Sequence, residues 1–192
     1  MRVFGITGSI GMGKSTVARM LRSLGVPVYD ADASVHQLMA RGGKAVPKIA
    51  ARFPAVVVDG AVDRSALGRE VFGNAAALRD LEAIVHPLVR AAERRFLELA
   101  RCQRRRRVAL DVPLLFERRG RRNIDLVLVV SAPAFLQRQR VLRRSGMTLE
   151  TFRRILSNQM PDAKKRRLAD WVIPSGLGLA VTHRALRRAL HA

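Results

Sequence analysis

The sequence predicts an α/β fold in which helices cover both faces of a parallel β-sheet. Short apolar runs alternate along the chain with segments of helical periodicity. The runs are continuously apolar, as expected of strands that are buried on both faces. A length of 192 residues with 48% hydrophobic and 27% charged side chains is enough for one sizeable core. A disordered tail or a mini-protein is therefore excluded.

The elements follow one another in a simple order. An apolar run at residues 3–7 predicts the first strand, and a helical pattern follows Gly13 until Gly25 ends it. After the fourth strand we expect one helix through Gln137 and a second from the cap Thr148, and a basic helix ends the chain. The remaining strands are predicted at residues 26–29, 107–112, 126–130 and 171–173.

A long insertion separates the second and third strands, at residues 33–103. It is too long for a simple crossover, and its patterns are mostly helical. Asn74 is predicted to cap a helix there, and His86-Pro87 to interrupt or kink that helix. We therefore expect a single domain, residues 1–192, that carries a helical subdomain at 33–103.

The composition excludes several classes of protein. No run approaches the ~18 apolar residues of a spanning helix, and the N-terminus lacks the order of a signal peptide, so we expect a cytoplasmic protein without a membrane partner. The single cysteine, Cys102, excludes an internal disulfide and a cysteine metal cluster.

The chain is strongly basic, with 36 Lys and Arg against 15 Asp and Glu and a net charge of +21. Such a surface attracts phosphate, although biased codon usage explains the excess of arginine equally well. Aromatic residues are only 5% of the chain, and the arginine runs at 104–107 and 118–122 contain none. Because stacking on bases needs aromatic side chains, we expect no specific nucleic-acid binding.

A glycine-rich loop carries the strongest functional signal. Residues 8–15 match G-x-x-x-x-G-K-[ST] and stand between a strand and a helix, where backbone N–H groups and the helix dipole can hold phosphate. A dinucleotide loop is the nearer alternative, but the sequence lacks G-x-G-x-x-G. The pattern predicts an ATP site in which the lysine reaches the β- and γ-phosphates and the serine hydroxyl holds Mg²⁺. Its residues are Gly8, Gly11, Met12, Gly13, Lys14, Ser15 and Thr16.

Acidic residues stand at the carboxyl ends of two predicted strands, the edge where open α/β sheets bind ligands. Asp30 and Asp32 follow the second strand and can orient an acceptor hydroxyl and accept its proton, or simply cap the next helix. Asp111 ends the third strand and is a candidate to hold Mg²⁺ through water, with Glu117 a weaker one. Whether Asp30 or Asp111 organises the metal stays open.

Three polar residues repeat at the spacing of one helix face. Gln137, Arg140 and Arg144 fall at i, i+3 and i+7. Guanidinium groups on such a helix can stabilise the charge of a transferring phosphoryl group. We interpret residues 134–167 as a lid region, although solvated arginines on a helix surface would give the same spacing.

These residues together resemble the dephospho-coenzyme A kinase family of P-loop kinases. The resemblance extends over nearly the whole chain, and the order of Leu-Glu-x-x-x-His-Pro at 81–87 before Asp-x-Pro-Leu-Leu at 111–115 is specific to it. It implies a P-loop kinase-like sheet with a helical acceptor-binding insertion and a helical lid. The chain departs from the family pattern at Ser175, where Asn often precedes the glycine.

The resemblance also implies an activity, the ATP-dependent phosphorylation of the ribose 3′-hydroxyl of dephospho-coenzyme A, with Mg²⁺. By position, Asp32 is then the catalytic base and Arg140 the lid arginine. The acceptor pocket is shaped by His86, Pro87, Leu114 and Leu115. Two other readings are a basic nucleic-acid-dependent NTPase and a kinase for another metabolite, such as a nucleoside monophosphate. We expect a monomer or a weak homo-oligomer.

Overall fold

The computed structural model describes residues 1–117 and 123–192, which divide into two compact units. The first unit comprises Met1–Tyr29 and Gln103–Ala192, and the second comprises Asp30–Cys102. The arginine run at 118–122 lies outside the described residues. Within the part of the chain that is described, no helix combines the length and the apolarity needed to cross a membrane.

A five-stranded sheet forms the centre of the first unit, and its order is β2-β5-β1-β6-β7. β1 pairs in parallel with β5 and with β6, and β6 pairs in parallel with β7. The central position of β1 places the loop that follows it at the middle of the edge where such sheets bind ligands. Numbered in chain order, the strands are β1 (Arg2–Thr7), β2 (Val28–Asp30), β5 (Arg107–Asp111), β6 (Leu126–Ser131) and β7 (Trp171–Pro174), with β3 and β4 in the second unit.

Both faces of this sheet are buried, as the continuous apolar runs predicted. Successive side chains of a strand point to opposite faces. Leu128 of β6 packs on one face with Phe4 and Leu21, whereas Val129 packs on the other with Leu115. All five side chains are at most 1% exposed. The predicted fold class, a parallel P-loop kinase-like sheet covered by helices, is confirmed.

The helices of the first unit include one that the sequence did not predict, because α8 is short and strongly basic and shows no apolar period. The predicted face of Gln137, Arg140 and Arg144 is also wrong in part. The Arg144 N–H bonds Val141 O, three residues back, and this tighter turn ends α6 before Arg144. The helices are α1 (Lys14–Ser23), α6 (Ala134–Leu142), α7 (Leu149–Ser157), α8 (Asp162–Leu168) and α9 (Leu179–His191).

The second unit is mostly helical and has its own core around Ile49, Phe53 and Val85. This unit also contains a two-stranded hairpin, β3 (Val57–Val58) and β4 (Ala61–Val62). The sequence did not predict it, because strands of two residues are too short to show a pattern. A single 3₁₀ turn at Pro54–Val56 precedes it. The helices are α2 (Ala31–Met39), α3 (Val46–Arg52), α4 (Arg64–Val71) and α5 (Ala75–Cys102).

The sequence predicts a cap at Asn74 and an interruption or kink at His86-Pro87, and the structure confirms the cap and shows no interruption. Asn74 caps the helix, because its Oδ1 accepts hydrogen bonds from the N–H groups of Ala76 and Ala77 at 3.1 and 3.0 Å. The predicted interruption at Pro87 does not occur, and α5 continues through it. Proline removes one helical hydrogen bond. Buried apolar residues on both sides of it, Val85 and Leu97 among them, favour one continuous helix.

Candidate active site

The glycine loop between β1 and α1 has a backbone that only glycine adopts easily. Gly11 and Gly13 have φ values of 76° and 87°, in the left-handed region. A Cβ on Gly11 would lie 2.5 Å from Cγ2 of Val141. Gly13 caps α1, so the N–H groups of the first helical turn point out of the helix end beside the loop. This geometry is typical of a site for phosphate oxygens.

Lys14 and Asp111 form an ion pair at this loop. The Lys14 ammonium contacts Oδ1 of Asp111, whose side chain is almost fully buried. Strand register explains the pairing, because Asp111 ends β5 opposite Ile6 of β1, just before the loop. Asp111 therefore does more than end its strand, since it balances the charge of the loop lysine.

Ser15 and Asp111 are the predicted metal ligands. Ser15 is exposed in the first turn of α1, and Asp111 supplies a carboxylate at the same edge of the sheet. Among the described residues, no cluster of three or more His, Cys, Asp or Glu side chains could form an all-protein metal cage. This donor set fits Mg²⁺, which keeps several waters and takes its other oxygens from a nucleotide.

Two glutamines outside the motif hold the loop at Ile10. Nε2 of Gln137 donates to the Ile10 carbonyl at 2.8 Å, and Oε1 of Gln159 accepts from the Ile10 N–H at 3.0 Å. Gln137 is 6% exposed. Its amide bonds the loop backbone, on the side of α6 where Arg140 stands one turn later.

Arg140 also lies at this loop. Its Nη2 donates to the Ser175 carbonyl at 2.7 Å and its Nη1 donates to the Ser175 hydroxyl at 3.1 Å. The same hydroxyl donates to the Met12 carbonyl at 2.5 Å. The predicted lid arginine is thus held beside the glycine loop, whereas Arg144 is exposed beyond the end of α6.

Glu117, the weaker metal candidate, is tied to other groups. Lys165 is fully buried, and its Nζ lies 2.9 Å from Oε1 of Glu117. The same oxygen accepts from the Met160 N–H at 2.8 Å. Burial raises the pKa of Glu117, but the hydrogen bonds from Lys165 and Met160 outweigh it and leave the pKa below its ordinary value. The carboxylate therefore stays charged as the partner of Lys165, and a metal role for Glu117 stays a prediction.

In the second unit, Asp30 and Asp32 have different surroundings. Asp30 caps α2, since its Oδ1 accepts from the Ala33 N–H at 2.9 Å. Asp32 is exposed in the first turn of α2, and His36 stands one turn later on the same side of the helix. Nη1 of Arg64 lies 2.9 and 2.6 Å from the two ring nitrogens of His36. Capping thus accounts for Asp30, and Asp32 keeps an exposed carboxylate.

The predicted acceptor residues also differ from one another in their surroundings. His86 is half-buried on α5 with Nε2 4.0 Å from Oε1 of Glu82, and Pro87 is exposed. Leu114 is half-buried in the first unit. Leu115 is 1% exposed and belongs to the core, so the prediction that it shapes a pocket wall is wrong, because the sheet face needs its side chain.

Sequence reasoning assigned no role to Gln159 and Ser175, which bond the glycine loop, or to Lys165, which pairs with Glu117. Gln159 and Ser175 are common polar residues with no local pattern. Lys165 did carry a signal, because the chain has only five lysines in a background of arginine, and Lys14 is another of them. Lysine at a position where this chain usually has arginine indicates a specific environment.

A glycine loop that ends in Lys14, on the central strand of a parallel sheet in the order 2-5-1-6-7, defines a P-loop kinase. A family model described as dephospho-CoA kinase matches residues 2–179, and the chain belongs to this family. Its members are kinases that phosphorylate dephospho-CoA with ATP, in the final step of CoA biosynthesis.

Individual proteins agree with this assignment. The dephospho-CoA kinase of Paramagnetospirillum magneticum is 66% identical over 166 residues, which cover 86% of this chain and 78% of that protein. The crystal structure of TT1252 from Thermus thermophilus matches with a TM-score of 0.82 and 40% identity, over 99% of this chain and 96% of that one. The dephospho-CoA kinase of Campylobacter jejuni has the same fold, with a TM-score of 0.68 at 24% identity over 99% and 96% of the two chains.

Proposed function

We propose that this chain transfers the γ-phosphoryl group of ATP to the 3′-hydroxyl of dephospho-CoA, and that its glycine loop holds the triphosphate. The observation that carries the proposal is the loop of residues 8–13 with Lys14 at the start of α1, paired to a buried aspartate. Backbone N–H groups, the helix N-terminus and a lysine together favour a polyphosphate. Family membership supplies the acceptor.

Lys14 has two partners in this proposal. Without nucleotide its charge is balanced by Asp111. The β- and γ-phosphates of ATP bring more negative charge to the same loop, and the flexible lysine stem lets the ammonium move to them. Phosphoryl transfer concentrates charge on the γ-phosphate oxygens, and a fixed cation there lowers the barrier.

Ser15 and Asp111 would hold the magnesium ion, Ser15 by its hydroxyl and Asp111 through water. A magnesium ion held there would offset the negative charge of the triphosphate. Asp111 lies beside Lys14 at the carboxyl edge of the sheet, where its carboxylate could hold the ion through water.

The acceptor roles are assigned residue by residue. Asp32 would accept the proton of the 3′-hydroxyl, since it is an exposed carboxylate that does not cap its helix. Arg140 would stabilise the charge of the transferring group, with the exposed Arg144 as a further phosphate contact. His86, Pro87 and Leu114 would contact the acceptor. Residues 33–103 would serve as the acceptor-binding subdomain and residues 134–167 as the lid.

The experiment that tests the proposal measures ADP formation by the purified protein with ATP and Mg²⁺. Dephospho-CoA, a nucleoside monophosphate and short duplex DNA are added in separate reactions. We expect dephospho-CoA alone to stimulate ADP formation strongly. Stimulation only by DNA, or only by the nucleoside monophosphate, would contradict the proposed acceptor.

Lys14→Ala and Arg187→Ala make a matched pair for the same assay. Lys14 stands at the loop, whereas Arg187 is an exposed cation on α9 of the same unit, outside the proposed lid. We expect Lys14→Ala to lose at least about 10³-fold in kcat/KM, as for removal of a main charge stabiliser, and Arg187→Ala to retain wild-type activity. An unchanged unfolding temperature in both variants would show that the fold is intact.

A further inference from the structure

Ser175 stands between Arg140 and the glycine loop and contacts both. It follows β7 directly, and its N–H donates to the Ser131 carbonyl at 2.9 Å, which fixes its backbone at the end of the sheet. Its side chain packs closely on the loop, because a Cβ on Gly13 would lie 3.0 Å from the Ser175 hydroxyl oxygen. Ser175 is therefore held rigidly next to the loop backbone.

The hydroxyl of Ser175 uses both its donor and its acceptor capacity. It donates to the Met12 carbonyl at 2.5 Å and accepts from Nη1 of Arg140 at 3.1 Å. The Ser175 carbonyl accepts from Nη2 of the same arginine at 2.7 Å. Two of the five guanidinium N–H donors are thus fixed in one plane, and no contact described for the rest of residues 1–117 and 123–192 uses the other three.

We propose that Ser175 is a positioning residue that fixes Arg140 relative to the glycine loop, so that the guanidinium and the loop form one site for the transferring phosphoryl group. The inference rests on the proposed function, because that function gives Arg140 its role. A long arginine side chain loses much rotamer entropy when it is ordered. Ser175 orders it before the nucleotide arrives, and preorganised charge is what stabilises a transition state.

A double-mutant cycle separates this role from simple support of the loop. The variants are Ser175→Ala, Arg140→Met and the two together. Ser23→Ala is the matched control, because the Ser23 hydroxyl is exposed and bonds the Met20 carbonyl of its own helix, outside the proposed lid. Ser175→Ala removes the hydroxyl, and Arg140→Met keeps an unbranched stem without any donor. Unfolding temperatures confirm that each variant is folded.

We expect Ser175→Ala to lower kcat about tenfold, the loss typical of one hydrogen bond to a charged group, with an unchanged KM for dephospho-CoA. In the Arg140→Met background the same change should cost less than about twofold, because the group that Ser175 positions is gone. ATP affinity, measured by calorimetry, should show the same coupling. Ser23→Ala should match the wild type.

Equal losses in the two backgrounds would overturn the inference, since Ser175 would then act on the loop independently of Arg140. A wild-type rate in Ser175→Ala would overturn it as well. If the wild-type protein forms no ADP with dephospho-CoA, the proposed acceptor is wrong, and the ATP-binding cycle still decides the role of Ser175.

Discussion

Replacing Glu117 with Gln should destabilise the first unit strongly, because it removes the counter-charge of a fully buried lysine. Lys165 is 0% exposed, and Oε1 of Glu117 lies 2.9 Å from its ammonium. Leaving one member of a buried ion pair uncompensated costs about 3–5 kcal/mol. We expect this loss in the free energy of unfolding for Glu117→Gln, a large part of the ~5–15 kcal/mol of a typical domain.

Lys165→Met should cost less than Glu117→Gln. The Glu117 side chain is 16% exposed and keeps its hydrogen bond from the Met160 N–H, so water and the backbone still stabilise its charge. We expect a loss of about 1–3 kcal/mol, the penalty for a partly satisfied buried group. Glu117→Gln combined with Lys165→Met has no buried charge, and its stability should return to within about 1 kcal/mol of the wild type.

Urea unfolding followed by Trp171 fluorescence measures these differences in the unit that holds the pair. Trp171 is the single tryptophan and lies in β7 of that unit. The reasoning would be refuted if the double variant were less stable than Glu117→Gln alone, or if Glu117→Gln cost less than about 1 kcal/mol. Either result would show that the ion pair does not stabilise this region.

The same pair predicts a pH dependence with a definite sign. The pKa of Glu117 in the folded protein lies below its ordinary value of 4.5, so the unfolded chain takes up the proton first as pH falls. The stabilisation is fully present above pH 4.5 and is lost as pH falls through the folded pKa. The difference in unfolding free energy between wild type and Glu117→Gln should therefore shrink below pH 4.5, and a difference that grew there would contradict this assignment.

Three further variants test the proposed roles. Asp32→Asn should lower kcat by about 10²–10⁴-fold, the range for a lost general base, and a change confined to KM would make Asp32 a binding residue instead. Asp111→Asn should keep or improve ATP binding without Mg²⁺, since Lys14 loses a competing partner. The same variant should raise the Mg²⁺ concentration needed for half-maximal rate, and an unchanged Mg²⁺ titration would exclude a metal role for Asp111. Gln137→Leu should raise KM for ATP severalfold by freeing the Ile10 carbonyl, and an unchanged KM would show that this bond does not shape the loop.

The main elements of the fold could be predicted from sequence because they carry long or uniform patterns. β6 is an apolar run whose alternate side chains are all buried, and Asn74 caps α5 by a local hydrogen bond that composition alone suggests. The β3–β4 hairpin and α8 are too short to show a periodic pattern of apolar residues. The helix through Pro87 shows tertiary packing overriding a local breaker, and the end of α6 before Arg144 carries no capping residue in the sequence.

The residues of the candidate site also differ in whether a local pattern in the sequence could predict them. Lys14 and Ser15 could be predicted because their motif is contiguous and needs only a strand before it and a helix after it. Asp111 could be singled out because it ends a predicted parallel strand, but its place beside Lys14 depends on the strand order of the folded sheet. Gln159 and Ser175 bond the loop from 149 and 163 residues away in the chain, and only the folded sheet brings them there. Leu115 was assigned to a pocket because its motif, read alone, does not show which leucine faces the core.

These distant hydrogen bonds give a structural role to the variable positions of the glycine motif. Ile10 is bonded through its backbone by Gln137 and Gln159, and the Met12 carbonyl accepts from Ser175. The Met12 sulfur also accepts from the buried Ala132 N–H at 3.2 Å, a weak bond that a branched aliphatic side chain cannot make. The glycines permit the curvature of the loop, and contacts from the rest of the first unit select it. A P-loop sequence therefore identifies the chemistry, whereas the positions of its phosphate-binding groups depend on residues that the motif does not contain.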